Sequence, residues 1–233
     1  MFIYFFDNFF VCFGFTSVMY DCSTDSYEEN VRKVKEMADI AHSYGATIEG
    51  ELGHVGDNEG SAEGTSHLTD PSKFFTDPKM AKDYVQKTGV DALAIAVGNA
   101  HGAYKLPPKL DFERIKQIAN TVSTPLVLHG GSGIPDDQVK AAIKAGIRKM
   151  NIGTDVCCAF AEGTKKALDD PKRSIGVDVF MKSAISSVKA LATEKINILR
   201  GCVKCDYKNG GWVVRHRGYC VVFTRLMEDN FTL

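Results

Sequence analysis

Two histidines occupy matching places in the sequence, each close behind an apolar run and each followed by glycine. His101 comes shortly after the run at 93–97, and His129 comes directly after the run at 126–128. Imidazole is the side chain that most often binds metals, and two imidazoles from neighbouring segments can share one Zn²⁺ while positions stay open for a third ligand and a substrate. A single histidine at a strand end could equally hydrogen-bond the backbone, but the repeated placement favours a zinc site.

Polar side chains also follow the other apolar runs of the chain. Asp21 follows residues 15–20, Glu51 lies near the end of residues 47–52, and Asn151 and Thr154 lie at the end of the last run, 149–152. In a barrel of parallel strands the carboxyl ends of the strands meet on one face, and that face holds the active site. Five successive runs that each end in a polar side chain therefore predict one shared site.

Two glycine-containing turns follow the last two apolar runs. Their residues are Gly130, Gly131 and Ser132 in the first turn and Asn151, Ile152, Gly153 and Thr154 in the second. Without Cβ atoms the backbone can approach an anion closely and point its N–H groups at it, and the start of a following helix adds a positive dipole end. The turns therefore predict a phosphate site. Lys105 could add a cation, although a solvated lysine explains this residue nearly as well.

Strands and helices alternate from residue 14 onward, and they must position these side chains. Strands are predicted at 15–20, 47–52, 92–97, 125–128 and 149–152, and helices at 27–44, 78–87, 111–121, 134–145, 155–168 and 177–199. The first helix has apolar residues at i, i+3, i+4 and i+7, and Asp25 or Ser26 can cap it. Apolar strands that alternate with helices indicate a parallel sheet covered by helices. The predicted fold class is α/β, with about five of the eight strand–helix units of a (β/α)8 TIM barrel.

The composition limits the partners and the compartment. The 233 residues are 44% hydrophobic, and 28 Lys and Arg nearly balance 29 Asp and Glu, so the formal net charge is −1. This balance gives no general attraction for nucleic acid or for an anionic membrane. The seven cysteines are odd in number and irregularly spaced, which argues for a reducing compartment. We therefore expect a cytoplasmic protein with neither a nucleic-acid nor a membrane partner.

Three segments fall outside the alternating pattern. Residues 53–77 are polar and have no apolar period, which is typical of a functional loop. Residues 1–13 are rich in Phe and resemble neither a signal peptide nor the start of a domain. Residues 201–233 include a β-like run near 219–223 but do not continue the alternation. We expect a leader at 1–13, one domain at 14–200 and a divergent tail at 201–233.

Six segments of the sequence resemble the class II fructose-bisphosphate and tagatose-bisphosphate aldolases. They are FGFTSVMYDCS at 13–23, IEGELG at 48–53, GVDALAIAVG at 89–98, AHGAYK at 100–105, PLVLHGGSGIP at 125–135 and KMNIGT at 149–154. The segments occur in the family's order, and the resemblance covers most of the chain. HGGSGIP and AHGAYK together are highly specific.

The resemblance implies a role for each matching residue. His101 and His129 match two of the family's three zinc-binding histidines, and Asp21 and Glu51 match acidic positions that hold a second divalent or a monovalent cation. The positions that match the dihydroxyacetone-phosphate site are Gly102, Gly130, Gly131, Ser132, Asn151, Ile152, Gly153 and Thr154. The implied reaction is the reversible cleavage of a ketose 1,6-bisphosphate to dihydroxyacetone phosphate and glyceraldehyde 3-phosphate, as in glycolysis. The family is usually oligomeric, so we expect a homo-oligomer.

The sequence departs from the family pattern at one catalytic position. The family's third zinc histidine lies in an Asp-His-Gly motif on the third strand, and its Asp is the general acid/base, but no Asp-His dipeptide occurs in this sequence. No catalytic residue is therefore identified. The visible units correspond to strands 4 to 8, so we expect a truncated or mis-assembled gene product with an open sheet edge. Loss of a positioned acid/base commonly lowers the rate by a factor of ~10²–10⁴.

Three interpretations of the function stay open. The first is an aldolase, for which fructose and tagatose bisphosphates are not distinguished because they differ at one stereocentre. The second is a non-catalytic homologue that keeps phosphate binding or acts as an accessory subunit, and the missing Asp and His favour it for this chain. The third is another phosphate-binding barrel enzyme, such as an isomerase, which would leave the pair of His101 and His129 unexplained.

Overall fold

The secondary structure follows the alternation of strands and helices in the sequence. The computed structural model describes residues 14–57, 74–102, 104, 108–171 and 176–200, and the backbone at 205–208 and 211–214. The strands are β1 Ser17–Tyr20, β2 Thr47–Leu52, β3 Gly56–Asp57, β4 Ala92–Ile95, β5 Ala100–His101, β6 Leu126–Leu128, β7 Ile147–Met150, β8 Cys205–Lys208 and β9 Gly211–Val214. The helices are α1 Tyr27–Ser43, α2 Pro78–Thr88, α3 Phe112–Thr121, α4 Asp136–Ala145, α5 Thr154–Leu168 and α6 Val177–Arg200.

A parallel sheet of five strands lies at the centre, in the spatial order β1, β2, β4, β6, β7. The last residues of neighbouring strands are level, since Leu52 pairs with Ile95 and Leu128 pairs with Met150. The carboxyl ends of the strands therefore lie along one edge, where folds of this kind carry their chemistry. The prediction of an α/β fold with five strand–helix units is confirmed. Within the described ranges β1 and β7 each pair on one side only.

Side-chain caps set the starts of the first three helices. The hydroxyl of Ser26 accepts the backbone N–H of Glu29 at 3.3 Å, so Ser26 rather than Asp25 caps α1. Asp77 and Asp111 accept backbone N–H groups in the first turns of α2 and α3. A cap of this kind stabilises a helix by about 1 kcal/mol. Because caps are local, the predicted starts of these helices agree closely with those observed.

The last strand of the sheet differs from its prediction. The sequence predicts a strand at 149–152, whereas β7 ends at Met150. The carbonyl of Asn151 accepts the backbone N–H of Gly131 at 2.9 Å, and the chain turns there towards α5. The prediction is therefore wrong by two residues, and Lys149 lies inside the strand instead of at its start.

Apolar faces of the helices pack on the sheet and form the core. Val34, Met37 and Ala41 on α1, and Ile115 and Ile118 on α3, are at most 1% exposed. Burying a large aliphatic side chain completely stabilises the fold by about 1.5–3 kcal/mol. This layer therefore fixes where the helices sit over the strands.

The segment after α6 contains a short antiparallel hairpin formed by β8 and β9. No pattern in the sequence predicts this hairpin. The β-like run expected near 219–223 lies outside the described residues, and so does the Phe-rich segment 1–13. Within the part of the chain that the structure describes, no helix is both long and apolar enough to cross a membrane.

One chain of hydrogen bonds crosses the apolar layer between the helices and β2. The hydroxyl of Tyr84 on α2 donates to Oδ1 of Asn30 on α1 at 2.9 Å. Nδ2 of Asn30 then donates to the backbone carbonyl of Glu51 at 3.0 Å. Burial raises the pKa of Tyr84 well above its usual range, so its hydroxyl stays a neutral donor. A Cβ on Gly50 would lie 2.8 Å from that hydroxyl, so only glycine leaves room for it.

We predict that Tyr84→Phe destabilises the protein by about 1–3 kcal/mol, because it leaves the buried Oδ1 of Asn30 without a donor. The measurement is the free energy of unfolding from urea titration followed by circular dichroism.

Tyr27→Phe provides the matched control for the loss of a hydroxyl. Tyr27 donates to Oδ2 of Asp83 at 2.5 Å at a half-buried position, and water can replace this contact. We expect Tyr27→Phe to cost less than half as much as Tyr84→Phe. Equal losses for the two variants would contradict a special role for the buried Tyr84–Asn30 contact.

Candidate active site

Two carboxylates of β2 and one histidine after β6 form the centre of the candidate site. Glu49 and Glu51 are two residues apart, so they point to the same face of the strand, and they are 3% and 2% exposed. His129, 3% exposed, lies between them. Its Nε2 is 2.9 Å from Oε1 of Glu49, and its Nδ1 is 2.9 Å from Oε2 of Glu51.

A lysine from the far side of the sheet completes the charge balance. Nζ of Lys149 on β7 donates to Oε2 of Glu49 on β2 at 2.7 Å. The strands β4 and β6 lie between these two strands in the sheet. A contact across two intervening strands requires a curved sheet with both side chains on its concave face, which is the geometry of a barrel interior.

The charges of these groups stabilise one another. Burial alone would raise the pKa of Glu49, but hydrogen bonds from His129 and Lys149 outweigh it and lower that pKa. Burial alone would lower the pKa of His129, but its hydrogen bond to Glu49 and the nearby carboxylate of Glu51 raise the pKa to about 9. The cluster therefore holds the Glu49 carboxylate in the charged form away from water.

One oxygen of the cluster has no hydrogen-bond donor. Oε2 of Glu51 is buried and lacks an aligned donor, although Nδ1 of His129 is 2.9 Å away. The contact is electrostatic rather than a hydrogen bond, because the direction of an N–H···O contact decides its strength. A buried carboxylate oxygen without a donor suits a cation, which can bind it without an N–H or O–H group.

His101 approaches the cluster from a separate pair of short strands. It ends β5, which pairs with β3 in parallel, so Asp57 lies opposite His101. The ring centroids of His101 and His129 are 5.7 Å apart. Nδ2 of Asn99 donates to the carbonyl of His129 at 3.1 Å and ties the two segments together. The two predicted zinc histidines are therefore neighbours, and Gly102 follows with a φ of 81°.

The donor types suit a divalent cation, but the described residues supply only part of a ligand set. Within the described ranges, no three His, Cys, Asp or Glu side chains surround a common point. Asp21 is exposed, and its carboxylate accepts the backbone N–H of Ser23 at 2.8 Å. Its role as a metal ligand stays a prediction. Lys105 lies outside the described residues.

The two glycine-containing turns contact each other beside the histidines. The backbone N–H of Gly131 donates to the carbonyl of Asn151 at 2.9 Å. Oγ of Ser132 accepts the backbone N–H of Asp155 at 3.1 Å, in the first turn of α5. Ile152, Gly153 and Thr154 complete the second turn, and α5 begins at Thr154. A helix start with N–H groups at its end attracts anions. The turns lie beside the cluster of Glu49, Glu51 and His129.

The first turn is sterically specific for glycine. Gly130 has a φ of 63°, and a Cβ there would lie 2.0 Å from the carbonyl oxygen of Ala100. The hydroxyl of Tyr104 donates to the carbonyl of Gly130 at 3.0 Å and accepts the N–H of Ala100 at 2.8 Å. The chain after β6 thus packs directly against the segment that carries His101.

Glu49 and Lys149 are not among the site residues that the sequence predicts. Strand alternation could have found Glu49, because a residue two positions before Glu51 shares its face. The sequence predicts Lys149 at the start of a strand, and nothing in its local sequence indicates a partner on β2. Tyr104 lies inside the AHGAYK segment, but its contacts depend on tertiary structure.

We predict that Gly130→Ala lowers the free energy of unfolding by at least about 1–3 kcal/mol, the cost of holding a side chain in a strained backbone conformation. The overlap with Ala100 adds to that cost. Urea unfolding measures it.

Gly153→Ala is the matched control in the neighbouring turn. A Cβ on Gly153 meets no atom within 4 Å, so we expect a change within about 0.5 kcal/mol. A Gly130→Ala protein as stable as Gly153→Ala would show that the packing of this turn is not rigid.

Comparisons with known proteins agree with this geometry. The model of the family described as fructose-bisphosphate aldolase class-II matches residues 6–203. The uncharacterized protein YdjI of Escherichia coli (strain K12) is 41% identical over 185 residues, which are 79% of this chain and 63% of that protein. The chain therefore spans less than two thirds of the length of this curated relative.

Solved structures give the same result. The crystal structure of the YdjI aldolase from Escherichia coli K12 has a TM-score of 0.66 and 38% identity, and the match covers 79% of this chain and 61% of that one. The fructose-bisphosphate aldolase of Campylobacter jejuni has a TM-score of 0.61 and 26% identity, with coverage of 80% and 60%. On the family match and these likenesses, the chain belongs to the class II fructose-bisphosphate aldolase family.

Proposed function

We propose that this chain is a metal-dependent aldolase that reversibly cleaves a ketose 1,6-bisphosphate, of fructose or tagatose, to dihydroxyacetone phosphate and glyceraldehyde 3-phosphate. One observation carries the proposal. The two glycine-containing turns lie beside the buried cluster of Glu49, Glu51 and His129, so that groups suited to a phosphate adjoin groups suited to a cation. We also propose that the protein is cytoplasmic and forms a homo-oligomer.

The turns would bind the phosphate of the substrate. Gly131 and Ser132 are buried next to the start of α5, where backbone N–H groups and the helix dipole favour an anion. Ser132 already contacts the first turn of that helix, which fixes the relative position of the two turns. A phosphate held here would orient the carbon chain towards His101 and His129, and orientation of this kind accelerates the reaction of bound groups.

His101, His129 and Glu51 would hold the metal, with Asp21 as a further carboxylate. A zinc ion bound there supplies a Lewis acid that polarises the substrate carbonyl. The chain's own residues exclude water from this end of the sheet, since Glu49, Glu51 and His129 are nearly inaccessible. A second divalent or a monovalent cation is compatible with the number of carboxylates.

A non-catalytic homologue that binds the phosphorylated sugar is the second candidate. Two observations favour it: no Asp-His dipeptide occurs in the sequence, and the described residues lack a third ligand around a common point. The phosphate turns do not depend on the missing residues, so binding and cleavage are separable. The two candidates therefore predict different results from the same pair of measurements.

We predict that the purified chain, loaded with zinc, cleaves fructose or tagatose 1,6-bisphosphate and that a chelator abolishes the cleavage. The assay couples the release of triose phosphates to an absorbance change, and calorimetry measures binding of dihydroxyacetone phosphate in parallel. Binding without cleavage would favour the non-catalytic homologue. If the chain neither binds dihydroxyacetone phosphate nor cleaves the bisphosphates, both candidates are contradicted.

His129→Ala and His42→Ala form the matched pair for this assay. We expect His129→Ala to lower kcat/KM by at least about 10²-fold, as the loss of a positioned catalytic group usually does. His42 is exposed and contacts Asp91 at 2.8 Å, so its replacement should leave kcat/KM unchanged. A His129→Ala chain with full chelator-sensitive activity would contradict the assignment of this metal site.

A further inference from the structure

We propose that Tyr104 is a positioning residue whose hydroxyl joins the segment that carries His101 to the first glycine-containing turn, so that a cation and a phosphate bind to the site cooperatively. The inference rests on the two sites of the proposed function, but not on the cleavage reaction. Tyr104 would touch neither the metal nor the substrate, and it would act by holding two stretches of backbone in one mutual position.

The hydroxyl of Tyr104 lies between two backbone groups that flank the histidines. It accepts the N–H of Ala100, the residue before His101, at 2.8 Å. It donates to the carbonyl of Gly130, the residue after His129, at 3.0 Å. A tyrosine hydroxyl can accept and donate at the same time. A single oxygen atom therefore connects the segment proposed to bind the metal with the turn proposed to bind phosphate.

The segment that carries His101 has little support from the central sheet. β5 has two residues and pairs with β3, which also has two, and within the described ranges neither strand joins the five-stranded sheet. An isolated pair of strands is only marginally stable. The position of β5 relative to the turn after β6 therefore depends on contacts between the two segments. The Tyr104 bridge is one of them, and the contact of Asn99 with the carbonyl of His129 is another.

The ring of Tyr104 gives the bridge a fixed base. The ring is half-buried and packs against the apolar core, and a Cβ on Gly133 would lie 3.4 Å from its Cδ2 atom. Burial raises the pKa of Tyr104, so the hydroxyl keeps its proton and continues to donate to Gly130. Tyr104 therefore spans the turn, with its ring beside Gly133 and its hydroxyl on Gly130.

A bridge between two binding segments couples the ligands that they bind. An anion at the turn would order Gly130, and through the hydroxyl of Tyr104 it would also order β5. A cation that then binds His101 loses less conformational entropy, which is positive cooperativity, and linkage requires the same factor in the opposite direction. Charge attraction between the two ligands acts through space with or without the hydroxyl. Tyr104→Phe therefore removes only the part of the coupling that the bridge carries.

The zinc affinity of the full chain, measured by competition with a coloured chelator with and without methyl phosphate, tests the coupling. We expect methyl phosphate to tighten zinc binding of the parent by about 5–150-fold and Tyr104→Phe to reduce this factor at least about threefold. Tyr27→Phe is the matched control, because it removes a half-buried hydroxyl whose partner, Asp83, is on α2. This control should keep the factor of the parent.

A second measurement leaves out the metal. In the ¹⁵N-histidine-labelled chain we expect methyl phosphate alone to shift the ring resonances of both His101 and His129. In Tyr104→Phe the shift of His129, which the chain joins directly to Gly130, should persist, and the shift of His101 should largely disappear. His101→Ala and His129→Ala assign the resonances.

Four results would overturn the inference. The first is a coupling factor that Tyr104→Phe leaves unchanged, even with a lower thermal midpoint, since the hydroxyl would then be merely structural. The second is an equal loss of the factor in Tyr27→Phe. The third is a parent chain that binds no zinc or whose zinc affinity does not respond to methyl phosphate. The fourth is a His101 shift that persists in Tyr104→Phe.

The cleavage assay separates this inference from the proposed activity. A chain that binds zinc and methyl phosphate cooperatively through Tyr104, but cleaves no bisphosphate, would refute the activity and leave the inference intact. A chain that cleaves the bisphosphate, but keeps its coupling factor in Tyr104→Phe, would refute the inference and leave the activity intact.

Discussion

The burial of two carboxylates on one face of β2 is the constraint on which the rest of the site depends. Removing an ion from water costs several kcal/mol unless an opposite charge and hydrogen bonds compensate it. No residue of β2 can compensate Glu49 and Glu51, so the partners come from elsewhere, His129 from the end of β6 and Lys149 from β7. These contacts form only if the sheet curves and the strand ends are level, so the fold and the charge balance require each other.

The glycine-containing turns and the carboxylate–histidine groups are built from different numbers of strands. The two glycine-containing turns, proposed to bind phosphate, need only β6, β7 and the start of α5. These elements are neighbours, and Gly131 and Ser132 join them directly. The groups proposed to bind the metal come from β2, β5 and the end of β6, and the resemblance to the family implies a further Asp-His segment that this sequence lacks. The chain spans about 60% of its solved relatives, and it holds every residue proposed for the phosphate site but no Asp-His segment for the proposed metal site. This difference is why phosphate binding and catalysis are best tested separately.

The sequence was sufficient for the features that local chemistry determines. Capping residues and apolar periodicity predicted the start of α1, the alternation of strands and helices, and the positions of His101 and His129 after apolar runs. Glu49 and Lys149 were not found, because the partner of a charged residue inside a strand depends on the register and the curvature of the sheet. Neither can be read from the local sequence. The end of β7 was misplaced for a related reason: Asn151 leaves the strand to bond Gly131, a contact between turns that are twenty residues apart. Metal and substrate roles came from the family resemblance, since donor types alone left a structural histidine as an alternative.

Contacts on both faces of β2 fix the position of this strand. On the helix side Gly50 leaves space for the hydroxyl of Tyr84, and Asn30 bonds the carbonyl of Glu51. On the concave side Glu49 and Glu51 meet His129. Both sets of contacts involve the same six residues. The packing of α1 and α2 therefore determines the position and rotation of the strand. The position of the strand in turn determines the distance from each carboxylate to the imidazole. The distances from Glu49 and Glu51 to His129 are therefore determined in part by the packing of α1 and α2 on the opposite face of the strand.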